Sequence, residues 1–196
     1  MNELIIASKN KGKIEEFRQL FAQYGIQTYG IEEIDESIAD VKETGMTFAE
    51  NAQLKAETIA ALLNKPVLAD DSGLEVDALE KRPGVFSARY AGEKKDDKAN
   101  MDKVLLELEQ VDHRTARFVC VLALAIPSQE TILERGTCEG SIARQPQGAN
   151  GFGYDPIFVP NGYNQTMAQL TSGEKNAISH RHNALMKIEQ TIQLMV

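Results

Sequence analysis

The run Pro66-Val67-Leu68-Ala69-Asp70-Asp71-Ser72-Gly73-Leu74 constrains the fold more than any other stretch of the chain. An apolar segment that follows a proline and stops abruptly at two carboxylates and a Ser-Gly pair reads as a buried strand over residues 67–69, with the acids at its carboxyl end and a turn after them. Open α/β sheets place their ligands at that end of their strands. Adjacent carboxylates repel one another unless a cation offsets the repulsion, which points to a divalent metal. The same residues also suit an Asp-rich turn in which a side chain caps a following backbone N–H, so other segments must decide.

Around this run, helical and strand patterns alternate without repeats or low-complexity linkers. Residues 4–7 read as a first strand. Ile14, Phe17, Leu20 and Phe21 then recur at helical spacing, and Tyr24-Gly25 ends that helix. Thr47-Phe48-Ala49-Glu50 has the form of a capping box. It opens a helix through Leu63, with Ala52, Ala56, Ile59 and Leu63 near one face, closed by Asn64 and Pro66. Pro83-Gly84 signals a turn. Residues 96–110 form a helix with Met101, Val104, Leu105 and Leu108 inward, and residues 117–126 and 132–142 form two late strands. Residues 145–160, dense in Gly, Pro and Asn, read as a loop. A last amphipathic helix carries Ala177, Leu185, Ile188 and Ile192. The alternation predicts an α/β fold, and the adjacent late strands make the sheet mixed rather than fully parallel.

Composition limits the classes of partner. A chain of 196 residues suits one large domain or two lobes sharing a sheet. The net charge of −8 argues against non-specific attraction to nucleic acid or anionic membranes. No apolar run approaches the about 20 residues that span a bilayer. The stretch from Met1 to Ala7 lacks a basic n-region and a long apolar core, so no secretory signal is expected. Cys120 and Cys138 sit in apolar or strand-like surroundings and read as buried thiols in a reducing cytoplasm. The three histidines show no zinc-ligand spacing.

Four further segments carry chemistry, each with a plainer reading beside it. Ser8, Lys9, Asn10, Lys11, Gly12 and Lys13 follow a strand and precede a helix, where N–H groups and lysines can meet phosphate. They lack the glycine spacing of a Walker A loop, and as a polar connection they would carry solvated lysines. Glu43, just before the capping box, can join Asp71 around Mg²⁺, or can be a surface acid in an acidic loop. Gly151-Phe152-Gly153-Tyr154-Asp155-Pro156 can bring backbone close to a ligand, stack a base on Phe152 and accept hydrogen bonds at Asp155, or can be a tight turn with packed aromatics. Lys175, His180 and Arg181 near the last helix suit an anion or a carbonyl, with a solvated helix turn as the alternative.

Together these residues resemble the inosine/xanthosine triphosphate pyrophosphatase family, which removes non-standard purine nucleotides. The resemblance runs essentially end to end. It is carried by residues 8–13, by Glu43-Thr44-Gly45-Met46-Thr47-Phe48 with Glu50-Asn51-Ala52, and by residues 69–74. Pro83-Gly84 with Ser87-Ala88-Arg89-Tyr90, residues 151–156 and residues 178–181 complete it. It implies an elongated two-lobed α/β fold with a long central mixed sheet flanked by helices, a single domain over residues 1–196 enclosing the nucleotide, and a cytoplasmic homodimer. The implied reaction is Mg²⁺-dependent hydrolysis of ITP, dITP and XTP to the monophosphate plus pyrophosphate.

By the same resemblance Asp71 is the proton acceptor and shares the metal with Glu43. Residues 8–13 and Lys175 hold phosphates, Ser72 touches substrate, and Phe152, Gly153, Tyr154, Asp155, His180 and Arg181 surround the nucleoside. Lys42 stands where many relatives have a second acid before Glu43, and Ala149-Asn150 stands where Thr-Gly is common. Donors from His180 or Arg181 would favour the C6 keto oxygen of hypoxanthine and xanthine over the amino group of adenine, while guanine has to be rejected at its 2-amino group. A pyrophosphatase for modified pyrimidines and a nucleotide sensor without turnover are the alternatives; a water-activating carboxylate argues against the sensor.

Overall fold

Leu4-Ile5-Ile6-Ala7 leaves no polar face for solvent, and it supplies an interior strand. The structure is a computed structural model describing residues 3–193. Its six-stranded sheet runs β2 (Gln27–Gly30), β1 (Glu3–Ile6), β3 (Val67–Val76), β4 (Thr115–Ala125), β5 (Ile132–Ile142), β6 (Phe158–Pro160) in spatial order. β1 is parallel to both β2 and β3, with Ile5 opposite Val67 and Ile6 opposite Leu68, whereas β5 and β6 are antiparallel. The sheet is therefore mixed, as expected. Parallel neighbours require crossovers: α1 (Lys11–Ala22) joins β1 to β2, and α3 (Phe48–Leu63) lies between β2 and β3 in the chain.

The chain divides into two units. The first comprises Met1–Asp71, Cys120–Gly136 and Arg181–Val196; the second comprises Ser72–Val119 and Thr137–His180. In the first, Leu4, Ile6, Leu68, Leu122 and Leu124 pack with Phe17 and Phe21 of α1 and with Leu185 and Ile188 of α6 (His180–Gln193). In the second, Leu74 and Val76 pack with Phe118, Tyr154 and Phe158, and with Val104 and Leu108 at the end of α4 (Asp97–Glu107). Each large apolar side chain removed from water in this way contributes about 1.5–3 kcal/mol.

The capping box forms as read: the Thr47 hydroxyl accepts from the Glu50 N–H, and the Glu50 carboxylate accepts from the Thr47 N–H. Asn64 closes α3 in the left-handed conformation, at φ 49°. Cys120 and Cys138 are buried and unbridged.

Three readings are corrected. β3 does not stop at Ala69: Asp70 to Gly73 continue the strand, and no Ser-Gly turn exists. A Cβ at Gly73 would lie 2.3 Å from Ser87 Oγ and 2.7 Å from Gly84 O, so this glycine serves close packing against the strand. The last helix is two helices, α5 (Ser172–Ile178) and α6, parted at Ser179, and Ala177 is exposed on α5. The loop over residues 145–160 contains the short β6. Finally, β2 and the single turn α2 (Ile31–Ile34) were not anticipated, because Gln-Thr-Tyr-Gly carries little strand pattern. The side chains of Leu20 and Ile192, assigned above to apolar helix faces, lie outside the described residues.

Candidate active site

Strand alternation sends Asp70 and Asp71 to opposite faces of β3. Leu68 and Asp70 share the face packed by α1 and α6, while Asp71 points to α3. Both carboxyl groups are buried, Asp70 at 1% and Asp71 at 6% exposure.

On the α3 face, Asn51 and Lys55 are one helical turn apart and so project together. Asn51 Nδ2 donates to Asp71 Oδ2 at 3.1 Å, and Asn51 Oδ1 accepts from the Gly45 N–H at 2.8 Å. A single buried amide thus fixes the aspartate and the loop that carries Glu43. Lys55 Nζ donates to Glu43 Oε1 at 2.6 Å and lies 3.6 Å from Asp71 Oδ1. Glu43 and Asp71, distant in sequence, therefore converge on one ammonium. Burial raises the Asp71 pKa and the Glu43 charge adds to the rise, against the opposing pull of Lys55, Lys13 and the Asn51 hydrogen bond. Burial opposes the charge on Lys55, but Asp71, Asp70 and Glu43 outweigh it and hold the amine protonated.

The α1 face is organised differently. Asn10 caps α1 by accepting from the Lys13 N–H at 3.2 Å, and the Ser8 hydroxyl accepts from the Asn10 N–H at 3.1 Å. This fixes the start of the helix, where N–H groups attract anions. Lys13 Nζ lies 3.0 Å from Asp70 Oδ2. Lys9 pairs with Glu32 at 3.8 Å and with Asp40 at 3.5 Å, Lys11 is exposed, and Gly12 is half-buried. Arg181, buried at the start of α6, pairs with Glu16 of α1 and stands 3.7 Å from Asp70. Burial alone would raise the Asp70 pKa, but Lys13, Arg181 and Lys55 together hold it well below the usual carboxylate range.

The second unit gathers another set of the expected residues. Asp155 Oδ2 accepts from the Phe152 N–H at 3.0 Å and from Lys175 Nζ at 2.8 Å, and the Lys175 ammonium lies 4.8 Å from the Phe152 ring centroid. Lys175 is thus grouped with the aromatic loop. Gly151, at φ 77°, passes so close to Asp155 that a Cβ would lie 2.0 Å from Oδ2. The Gly153 N–H donates to Asp97 Oδ2 at 2.8 Å. The Tyr154 hydroxyl donates to the Ser87 carbonyl at 2.7 Å. Ser72 is half-buried on β3, and His180 is buried with its ring stacked on Phe118 at 5.1 Å.

Among the described residues no group of three or more His, Cys, Asp or Glu side chains converges to hold a metal. Mg²⁺ does not require one: it commonly takes one or two carboxylates and completes its shell with water and substrate phosphate. Glu43 and Asp71, already collecting a positive charge in Lys55, are a hard-oxygen pair of that kind, so the donor set fits. The sequence reading missed Lys55 and Glu16, and it named Asn51 and Ser87 only as carriers of the resemblance, without a role. Lys55 and Asn51 lie on the same helix stripe as Ala52, Ala56 and Ile59, and a polar residue inside an apolar stripe was the available signal.

A model of the Ham1 family matches residues 4–191. Over 192 residues the chain is 52% identical to a dITP/XTP pyrophosphatase of Oceanobacillus iheyensis, covering 97% of this chain and 98% of that one. Over 197 residues it is 55% identical to a dITP/XTP pyrophosphatase of Shouchella clausii, covering 98% of each. The solved structure of the Staphylococcus aureus Ham1 protein superposes with a TM-score of 0.88 at 48% identity, covering 99% of this chain and 100% of that one.

Proposed function

The chain belongs to the Ham1 family, and we propose that it hydrolyses non-standard purine nucleoside triphosphates (ITP, dITP and XTP) to the monophosphate plus pyrophosphate. The relatives' names support the substrate class. The observation that carries the chemistry is the convergence of Glu43 and Asp71 on Lys55, with the Asp71 carboxyl shifted upward.

Attack of water at the α-phosphorus requires a group that takes a proton near neutral pH. A carboxylate whose pKa is raised by burial is a better base than an ordinary one. Asp71 takes that role, held in orientation by Asn51. Lys55 favours the ionised form of Asp71 and offsets the repulsion between Glu43 and Asp71. Glu43 and Asp71 would hold Mg²⁺, which supplies charge neutralisation for the phosphate groups.

Lys13 supplies a cation for phosphate; an ammonium has three donors, and one suffices for Asp70. The capped start of α1, with Ser8, Lys9, Asn10, Lys11 and Gly12, adds N–H groups and charge. In the second unit, Phe152 offers a stacking face. Asp155 and His180 supply hydrogen bonding toward the nucleoside, and we assign Lys175, expected above among the phosphate ligands, to the same group because its ammonium bonds Asp155 and lies over the Phe152 ring. Gly153 lets backbone approach closely, and Ser72 contacts substrate. Donors toward the C6 keto oxygen oppose adenine. A buried mismatch at the 2-amino group of guanine costs about 1–3 kcal/mol, roughly one to two orders of magnitude in kcat/KM. A homodimer acting in a reducing cytoplasm completes the reading, which suits the two unbridged buried cysteines.

The test is pyrophosphate release from ITP, dITP, XTP, GTP, ATP and dUTP, with Mg²⁺ and with EDTA. Release confined to the first three and abolished by EDTA is expected. Equal kcat/KM for ITP and GTP overturns the specificity argument, preference for dUTP moves the substrate to pyrimidines, and binding without release makes the protein a sensor. Elution at the monomer mass at micromolar concentration overturns the dimer.

A further inference from the structure

We infer that Ser87 and Tyr154 form a tether that positions the Phe152–Asp155 loop for the base, with Ser87 a positioning residue that touches no substrate; this rests on the nucleotide-binding reading above. Three hydrogen bonds build the tether. The Leu74 N–H donates to Ser87 Oγ at 2.9 Å, the Ser87 hydroxyl donates to the Gly84 carbonyl at 2.6 Å, and the Tyr154 hydroxyl donates to the Ser87 carbonyl at 2.7 Å.

The first two bonds fix the 3-10 turn Gly84–Arg89 against β3, one residue beyond Gly73 and two beyond Ser72. Gly73 makes the contact possible, since a side chain there would overlap Ser87 Oγ and the Gly84 carbonyl. Backbone contacts extend it: Glu75 bridges Pro83, and the Val76 N–H donates to the Arg82 carbonyl at 3.2 Å. A shift of the turn would therefore break its bonds to β3.

The third bond passes this fixed position to the loop. Tyr154 is 5% exposed, with its ring in the second core among Leu74, Phe118 and Phe158. A buried phenol in that setting is an anchor, which moves Tyr154 from the substrate contacts expected above to the scaffold behind them. Burial also raises its pKa, so the hydroxyl stays a donor at neutral pH. Tyr154 directly precedes Asp155, whose carboxylate sets both the Phe152 N–H and the Lys175 ammonium. The loop residues with chemistry thus take their position from an anchor that Ser87 holds on β3.

The experiment is calorimetric binding of two probes, inosine monophosphate and inorganic tripolyphosphate, to the full chain and to its Tyr154→Phe, Ser87→Ala and double variants. One lost hydrogen bond corresponds to about a 3- to 10-fold weakening. Tyr154→Phe and Ser87→Ala are each expected to weaken inosine monophosphate by that factor while leaving tripolyphosphate, which has no base, within about twofold. The double variant should lose little more than the worse single one, since both break the same tether. Unchanged binding of inosine monophosphate, equal weakening of both probes, additive losses, or no binding by the unmodified chain overturns the inference. Pyrophosphate release by the unmodified chain is scored separately, so failure of hydrolysis and failure of the tether are told apart.

Discussion

Asp70 and Asp71 are chain neighbours whose carboxyl groups are displaced in opposite directions, Asp70 below the ordinary aspartate range and Asp71 above it. Alternation along β3 separates their environments. Asp70 meets two cations on the α1 and α6 face, Lys13 and Arg181, whereas Asp71 shares the single ammonium of Lys55 with another acid, Glu43. Divergent pKa values in one site separate roles: Asp70 stays ionised to hold cations, and Asp71 is poised to exchange a proton.

The first consequence is a pH profile. If ionised Asp71 is the base, kcat/KM falls on the acid side as pH drops through a pKa above that of an ordinary aspartate. Lys55 lowers the Asp71 pKa, so Lys55→Met should move that limb to higher pH and reduce kcat/KM at neutral pH by at least about tenfold, on the scale of a lost charge-assisted hydrogen bond. Asp71→Asn should abolish turnover. A limb that stays in place in Lys55→Met refutes the assignment.

Stability should respond in opposite directions at the two positions. Asp70 has a lowered folded pKa, so its contribution is complete above its unfolded value near pH 4 and is lost as pH falls below that toward the folded value. Asp70→Asn removes the countercharge of half-buried Lys13 and buried Arg181 and should cost about 3–5 kcal/mol at neutral pH. Asp71 has a raised folded pKa, so its ionised form opposes folding at any pH above that value, and the penalty vanishes below pH 4. Asp71→Asn should therefore raise the melting temperature at pH 7 and lose that advantage at about pH 3.5. Thermal unfolding of both variants across pH 3–8 checks the signs.

How much of this was legible in the chain follows from how local each determinant is. The capping box of α3 and the two long strands β4 and β5 could be read because pattern and structure occupy the same residues. The continuation of β3 could not. Asp-Asp-Ser-Gly is poor strand sequence, and it stays extended because Lys13, Arg181, Asn51, Lys55 and Ser87 arrive from elsewhere to satisfy it. Glu43 and Asp71 were paired on chemical grounds and by the family resemblance, since sequence separation sets no distance. The cation between them was overlooked, because a lysine on a helix ordinarily extends its charge to solvent. The break at Ser179 passed unnoticed because Ala177 and Leu185 lie at helical spacing whether or not the helix is continuous.

Metal dependence gives a separate check on Glu43. Glu43→Gln keeps a group that can accept from Lys55 but removes one of two anionic oxygen donors. The Mg²⁺ concentration for half-maximal pyrophosphate release should rise at least about tenfold, on the scale of perturbed metal sites, and saturating Mg²⁺ should restore much of kcat. A Mg²⁺ requirement unchanged from the parent would remove Glu43 from the metal site.

The Lys175–Asp155 pair allows the cost of burying charge to be separated from its use. Both groups are buried, at 8% and 4% exposure. Lys175→Met withdraws the ammonium from Asp155 and should destabilise the chain by about 3–5 kcal/mol, because a carboxylate buried without its cation is costly. Adding Asp155→Leu removes that charge as well and should recover much of the loss, since well-packed apolar replacements of buried pairs are often neutral. Binding should behave otherwise. The double variant loses the acceptor for the Phe152 N–H as well as the cation over its ring, so the KM for ITP should remain at least about tenfold raised even where the melting temperature recovers. Joint recovery of stability and KM would mean that the pair only holds the loop together. Recovery of stability alone assigns it to nucleotide recognition.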